Sequence, residues 1–171
     1  MLDGQVELVK PIDFKCIDHI LYGGSKSKYI GGRYLFNDDF CAYIYDLENY
    51  KTYVNGHIGN DGQQAYYLSG QGNSISYREF YGNDDAEVIF DFNQPDKKNL
   101  LIIGNSFTNP INELIASHFN KTYDIDLRYN KDFRFKKYVE ENKIDIVLFM
   151  GDSMIYTLSD FRIKGWCYVI L

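Results

Sequence analysis

Apolar and polar positions change rhythm near residue 86. Before it, short runs such as Gly32-Arg33-Tyr34-Leu35-Phe36, Ala42 to Leu47 and Tyr50 to Val54 are punctuated by Gly, Asn and Asp. That pattern predicts short strands and turns in a β-rich, irregular half. After it, Glu87 to Phe92 reads as a strand and leads through Pro95-Asp96 to Leu100-Leu101-Ile102-Ile103. A continuous apolar run of this kind fits a strand covered on both faces, as in a parallel sheet. Asn109-Pro110 supplies an N-cap and a first-turn proline, predicting a helix through Phe119 with Ile111, Leu114, Ile115 and His118 on one face. A strand at Tyr123 to Leu127, a charged helix from about Phe133 to Asn142 and a strand at Asp145 to Met150 continue the alternation. Strand and helix taking turns predicts an α/β fold, a parallel sheet flanked by helices over residues 87–171. Residues 1–86 are expected to form a β-rich, tyrosine-rich segment packed on that core within one domain.

Composition narrows the function classes. A chain of 171 residues, 45% apolar and 25% charged, is long enough to bury a core without staples. The longest apolar runs, Leu100 to Ile103 and Ile146 to Met150, are far below the roughly 20 residues a bilayer span needs, so no span is expected. The opening Met1-Leu2-Asp3-Gly4 lacks a basic segment followed by an apolar stretch, and no secretory signal is expected there. A net charge of -6 argues against nucleic acid, whose phosphates call for a basic face, and suits small molecules or neutral sugars better. Cys16, Cys41 and Cys167 are odd in number and widely spaced, and read as buried or free thiols. The 17% aromatic content, with Tyr43, Tyr45, Tyr50, Tyr53, Tyr66, Tyr67, Tyr77 and Tyr81 dense in the first half, reads as cross-strand pairs in a sheet or as sugar-stacking faces.

Two strand ends look alike, Ile103-Gly104-Asn105-Ser106 and Met150-Gly151-Asp152-Ser153. Ligands of open α/β sheets sit beyond the carboxyl ends of the strands, so both serines fall where chemistry occurs. Ser106 precedes the predicted helix, whose first N–H groups could stabilise an oxyanion. It is either a nucleophile served by a histidine or a serine that caps the helix and satisfies the turn. Ser153 lacks a convincing helix behind it and reads as structural. Asp126 and Arg128, alternating with apolar neighbours at a strand end, read first as an ion pair and second as contacts to a polar substrate. Asp38, Asp39, Asp84 and Asp85 lack the regularly spaced oxygen ligands of a calcium loop, and no metal is assigned. Gly23-Gly24, Gly31-Gly32 and Gly70-Gln71-Gly72 lack a phosphate loop's lysine and read as turns.

Gly104-Asn105-Ser106-Phe107 resembles the Gly-Asp-Ser-(Leu/Phe) block of the SGNH or GDSL-type esterases and acyltransferases. The stretch from Asn99 to about Tyr156 is similar to the branch named for an Asp-His-His-Trp (DHHW) motif, related to the alginate O-acetyltransferases. Leu114-Ile115-Ala116-Ser117-His118-Phe119, Ile125-Asp126-Leu127-Arg128-Tyr129 and Ile144-Asp145-Ile146-Val147-Leu148 carry that resemblance in order and spacing. It implies a flavodoxin-like SGNH core, Ser106 as the acyl-accepting nucleophile with its own N–H as an oxyanion donor, and supporting roles for Asn105, Asn109, Asp126 and Arg128. No organic cofactor is implied. Asn105 stands where the block has Asp.

In that branch the histidine and its acid come from an Asp-His-His-Trp segment upstream of the serine, which this chain lacks. Its one Asp-His pair, Asp18-His19, continues Ile20-Leu21, which leaves His19 a weak candidate base. His57 reads as a turn residue. His118, twelve residues on from Ser106 along the predicted helix, would lie roughly 18 Å from it. The expectation is thus a carboxyl-terminal portion of a serine esterase or O-acyltransferase acting on acetyl esters of a cell-surface polysaccharide, outside the cytoplasm, and nearly inert as this chain. The alternative is a non-catalytic α/β module that binds glycans or proteins through its tyrosine-rich half.

Overall fold

The computed structural model describes residues 8–23, 36–47, 49–59, 74–81 and 84–151. The side chain of His19, the segments at 31–35, 66–67 and 70–72, and Ser153, Trp166 and Cys167 lie outside the described residues.

The strand at the centre of the larger sheet is β7 (Leu100–Gly104), and its position follows from its sequence. Leu100, Leu101, Ile102 and Ile103 are all 0–1% exposed, so both faces are covered. Each such side chain contributes about 1.5–3 kcal/mol through burial. Parallel neighbours flank it, β8 (Lys121–Asp126) on one side and β9 (Ile146–Phe149) on the other. The chain therefore winds from β7 to β8 in one direction, then crosses back over β7 to reach β9.

Beyond β8 the sheet turns antiparallel, through β6 (Glu87–Asp91), β3 (Lys51–Val54) and the two-residue β4 (His57–Ile58). The order is β4-β3-β6-β8-β7-β9, a mixed sheet where the apolar runs had suggested a parallel one. An apolar run shows that a strand is buried and says nothing of its direction. The turn after β6, where Asn93 has φ +50° and its N–H donates to Asp91 Oδ1 at 3.0 Å, reverses the chain without placing β6 beside β7. Instead β6 takes the free edge of β8. The larger sheet thus draws β3 and β4 from before residue 86.

Three helices are present among the described residues: α1 (Tyr77–Tyr81), α2 (Asn112–Ala116) and α3 (Phe135–Glu141). Tyr138 and Val139 of α3 pack with Leu101, Ile103, Tyr123 and Ile125 on one face of the sheet. Ala116 of α2 packs with Phe90 and Phe92 on the other. The predicted helix from Asn109 to Phe119 shrinks to one five-residue turn preceded by Ile111, with no side-chain cap. Asn109 is no N-cap, because residues 105–112 are folded into successive turns by Thr108 N–H to Asn105 O, Ile111 N–H to Thr108 O and Asn112 N–H to Thr108 O. Asn112 and Ala116 form the buried face, while Ile111, expected inside, is 42% exposed.

A second, smaller sheet has the order β2-β1-β5, from β1 (Asp13–Gly23), β2 (Phe36–Ile44) and β5 (Ser74–Ser76), the last running straight into α1. Antiparallel register sets Cys16 opposite Cys41, and the two form a disulfide across a Cα–Cα distance of 4.1 Å. This overturns the reading of both as buried or free thiols: their side chains stand on an exposed surface, and 25 residues of separation vanish once the strands pair. The same register sets Phe14 against Tyr43, with ring centroids 4.9 Å apart, and Tyr50 stacks on Phe92 at 4.6 Å.

Candidate active site

Where β7 ends, the chain must turn within the space left by its neighbours, and Gly104 makes that possible. A Cβ there would lie 2.3 Å from Thr108 Cγ2 and 3.0 Å from the Met150 carbonyl oxygen. The glycine is required by close approach, since any side chain would displace the residue that closes the turn. Asn105, 7% exposed, then accepts the Phe107 N–H on its side-chain oxygen at 3.1 Å, and its carbonyl accepts the Thr108 N–H at 2.8 Å. An Asx-turn needs only a side-chain oxygen. Asn105 supplies it as an Asp would, and the departure from the Gly-Asp-Ser pattern leaves the turn formed.

Ser106 sits half-buried at the apex, just past the carboxyl edge of the sheet, and its carbonyl accepts a hydrogen bond from the Tyr77 hydroxyl of α1. Phe107 beside it is exposed, while Thr108 is 1% exposed. The first N–H groups of α2 are not at Ser106, as had been expected. They begin six residues later, and those of Ile111 and Asn112 are spent on Thr108 O.

Beneath the turn lies a carboxylate that sequence reasoning missed. Asp124 of β8 is 8% exposed, and its Oδ2 lies 3.0 Å from Thr108 Oγ1 and 2.9 Å from Asn112 Nδ2. Burial pushes its carboxyl up to about 6; the nearby Asp126 adds to this, while its contacts with Asn112 and Thr108 oppose it. A signal was available, for Thr122, Asp124 and Asp126 repeat with period two on a strand otherwise apolar enough to be central. A polar face on a buried strand is informative because it must find partners inside.

Asp126 pairs laterally with Gly104 in the sheet and is 7% exposed. It accepts from the Arg128 backbone N–H at 2.9 Å, from Nε at 2.9 and 3.0 Å, and from Nη2 at 2.5 Å. Arg128 Nη2 also lies 3.3 Å from Asp84 Oδ1. The guanidinium is thus a structural member of an Asp126-Arg128-Asp84 group, and the Asp126 hydrogen bonds hold its proton more tightly than usual. Asp84, Asp85, Asn105, Asn109, Asp124 and Asp126 share the lining of a small cleft beside the serine turn. Among the described residues, no group of three or more His, Cys, Asp or Glu side chains is placed to hold a metal ion. No helix among them is long and apolar enough to cross a membrane.

The histidines are placed elsewhere. His57 opens the exposed edge strand β4, directly after the Asn55-Gly56 hairpin turn, whose φ values are +49° and +80°. Four strand spacings separate β4 from β7, roughly 19 Å. His118 has Nδ1 3.0 Å from Leu114 O, and its Nε2 accepts the Val9 N–H at 3.4 Å. The continuous helix used to place it does not exist; it stands at the amino edge of the sheet, with the length of β7, roughly 16 Å, between it and the serine turn. His19 lies on β1 of the smaller sheet. Among the described side chains, no imidazole reaches Ser106.

No protein-family model matches the sequence, and no curated protein matches it. Solved structures do. PatB1 from Bacillus cereus superposes with a TM-score of 0.71 at 20% identity, over 89% of this chain and 52% of that one. PatB1 with a sulfonyl adduct gives 0.69 at 19% identity, over 94% and 55%. A DHHW family protein from Eubacterium siraeum gives 0.63 at 20% identity, over 89% and 52%. The chain shares the fold of these proteins and spans about half the length of each.

Proposed function

From a fold shared with a DHHW family protein and with PatB1, we propose that this chain carries the nucleophilic serine of an SGNH-type esterase or O-acyltransferase that acts on acetyl esters of a cell-surface polysaccharide. The observation that carries the reading is the position of Ser106: beyond the carboxyl end of β7, in the order β8-β7-β9, at the point where the winding direction reverses. That is the switch point at which flavodoxin-like sheets bind ligands. PatB1 has been solved with a sulfonyl adduct, and sulfonyl electrophiles are trapped by nucleophiles, which favours a reactive side chain on this fold.

In this reading Ser106 Oγ attacks the acetyl carbonyl carbon and a histidine from outside the described residues takes the hydroxyl proton. Phe107 N–H and Thr108 N–H are engaged by Asn105, so the oxyanion falls to the Ser106 N–H. Collapse of the tetrahedral intermediate expels the sugar hydroxyl, which receives the proton. Water or another sugar hydroxyl then takes the acyl group from serine. The Cys16–Cys41 disulfide supports a site of action outside the cytoplasm, since such bonds persist in oxidising compartments.

A second reading, a glycan-binding module without catalysis, draws on the exposed Phe14–Tyr43 pair and on the lack of an imidazole near Ser106 among the described side chains. Acetyl-ester turnover by the protein in its natural length separates the two. Ser106→Ala should lower it about 10³-fold or more, as loss of a nucleophile does. Equal rates for the protein and the variant would overturn the enzyme reading.

A further inference from the structure

The hydroxyl of Thr108 has one proton and two acceptors within reach. The Asn105 carbonyl lies 2.8 Å from Thr108 Oγ1, and Asp124 Oδ2 lies 3.0 Å from it. A carbonyl oxygen can only accept, so if that contact is a hydrogen bond Thr108 is its donor. The second contact is then a full hydrogen bond when the proton sits on Asp124. Asn112 agrees: its Oδ1 accepts the Glu113 N–H at 2.7 Å, which fixes Nδ2 as the atom facing Asp124, and an acid O–H oxygen can accept from Nδ2 while donating to Thr108. An ionised Asp124 would leave two acceptors competing for one hydroxyl proton in a site that water barely reaches.

We propose that Asp124 is the positioning residue of the serine turn, and that it holds the turn as the neutral acid, donating to Thr108 Oγ1 so that Thr108 can donate to Asn105. This deepens the reading of Ser106 as nucleophile and rests on it for its catalytic consequence. When Asp124 ionises, the Thr108 hydroxyl swings its proton from the Asn105 carbonyl to the carboxylate. The residue preceding the nucleophile then loses one of its two bonds to Thr108, and the apex loosens.

The groups facing Asp124 set where this happens. Asp126 on its own strand, and Asp84 and Asp85 across the cleft, disfavour a further negative charge. Arg128 would favour one, but its guanidinium is engaged by Asp126 and Asp84. Val88 is the β6 residue opposite Asp124, so Glu87 turns to the other face and accepts the Tyr138 hydroxyl of α3, and from α2, Glu113 accepts the Tyr50 hydroxyl. The neighbouring strand β7 carries no titratable side chain. Burial first and Asp126 last raise the carboxyl to about 6, against the opposing contacts with Asn112 and Thr108.

Carboxyl ¹³C and amide ¹⁵N titration of the full chain tests the proposal. Asp124 should titrate near 6, and the Phe107 and Thr108 amides should shift with the same midpoint. Asp124→Asn, which keeps an N–H donor toward Thr108, should abolish that inflection. Thr108→Ser should preserve it and Thr108→Val should remove it while Asp124 still titrates, a contrast that a merely space-filling role would not produce. Titration of Asp124 in the ordinary range near ~4, or turn amides indifferent to it, would overturn the proposal. The rate at which an aryl sulfonyl fluoride modifies Ser106 should carry the same inflection in the wild type and lack it in Asp124→Asn. Should Ser106→Ala be modified as fast as the wild type, the nucleophile reading fails, and the carboxyl titration still decides for or against Asp124.

Discussion

At the scale of single residues, the serine turn is built from side chains whose roles are set by counting donors and atoms. Gly104 is there because Thr108 occupies the volume its Cβ would need, and Asn105 because a side-chain oxygen must meet the Phe107 N–H. Both could be read from the Gly-Asn-Ser pattern. Asp124 leaves only the trace of a period-two polar face with Thr122 and Asp126, and its partners, twelve and sixteen positions away, are brought to it by the fold. Its raised carboxyl also has a sign. A folded-state value of about 6 against 3.8 means the folded chain binds the proton more tightly than the unfolded one. Stability therefore falls as pH rises from about 4 through about 6, by roughly 3 kcal/mol, and the loss is complete above that. Asp124→Asn lacks this slope. Urea midpoints measured at about pH 4 and about pH 7 should show the variant gaining on the wild type at the higher pH.

At the scale of elements, β7, β8, β9 and α3 fall close to where apolar periodicity puts them: β7 is buried on both faces and leaves a continuous run, while α3 lays Tyr138 and Val139 on the sheet and keeps its charged residues outside. Direction and length are less legible. The sense of β6 depends on which edge was vacant, and α2 is short because the segment before it closes into turns around Thr108 and Asn112. Strand β8 also retains an imperfection: Thr122 is 0% exposed, and its hydroxyl has no hydrogen-bond partner. An unsatisfied buried hydroxyl costs about 1–3 kcal/mol, so the isosteric Thr122→Val should raise the unfolding free energy by about 1 kcal/mol or more. Denaturant melts of the two chains check this, with an unchanged m-value expected.

At the scale of the whole molecule, the helix that follows the smaller sheet reaches the serine turn of the larger one through Tyr77. The disulfide in the smaller one was invisible to spacing because 25 residues separate its cysteines, and only antiparallel register makes them neighbours. Alkylation of the denatured chain should find one thiol, Cys167, before reduction and three after it. Closing a loop of that length stabilises the fold by about 3.5 kcal/mol on chain entropy.

Tyr77 gives this cross-link a reach beyond its own sheet. The tyrosine follows β5, β5 lies against β1, and β1 holds Cys16, while the phenol oxygen at the far end of that series grips the backbone of Ser106. Thiol chemistry on an outer surface is thereby wired, through one strand pairing and one phenol, to the pose of Ser106, and Tyr77→Phe would cut the wire while leaving both ends intact.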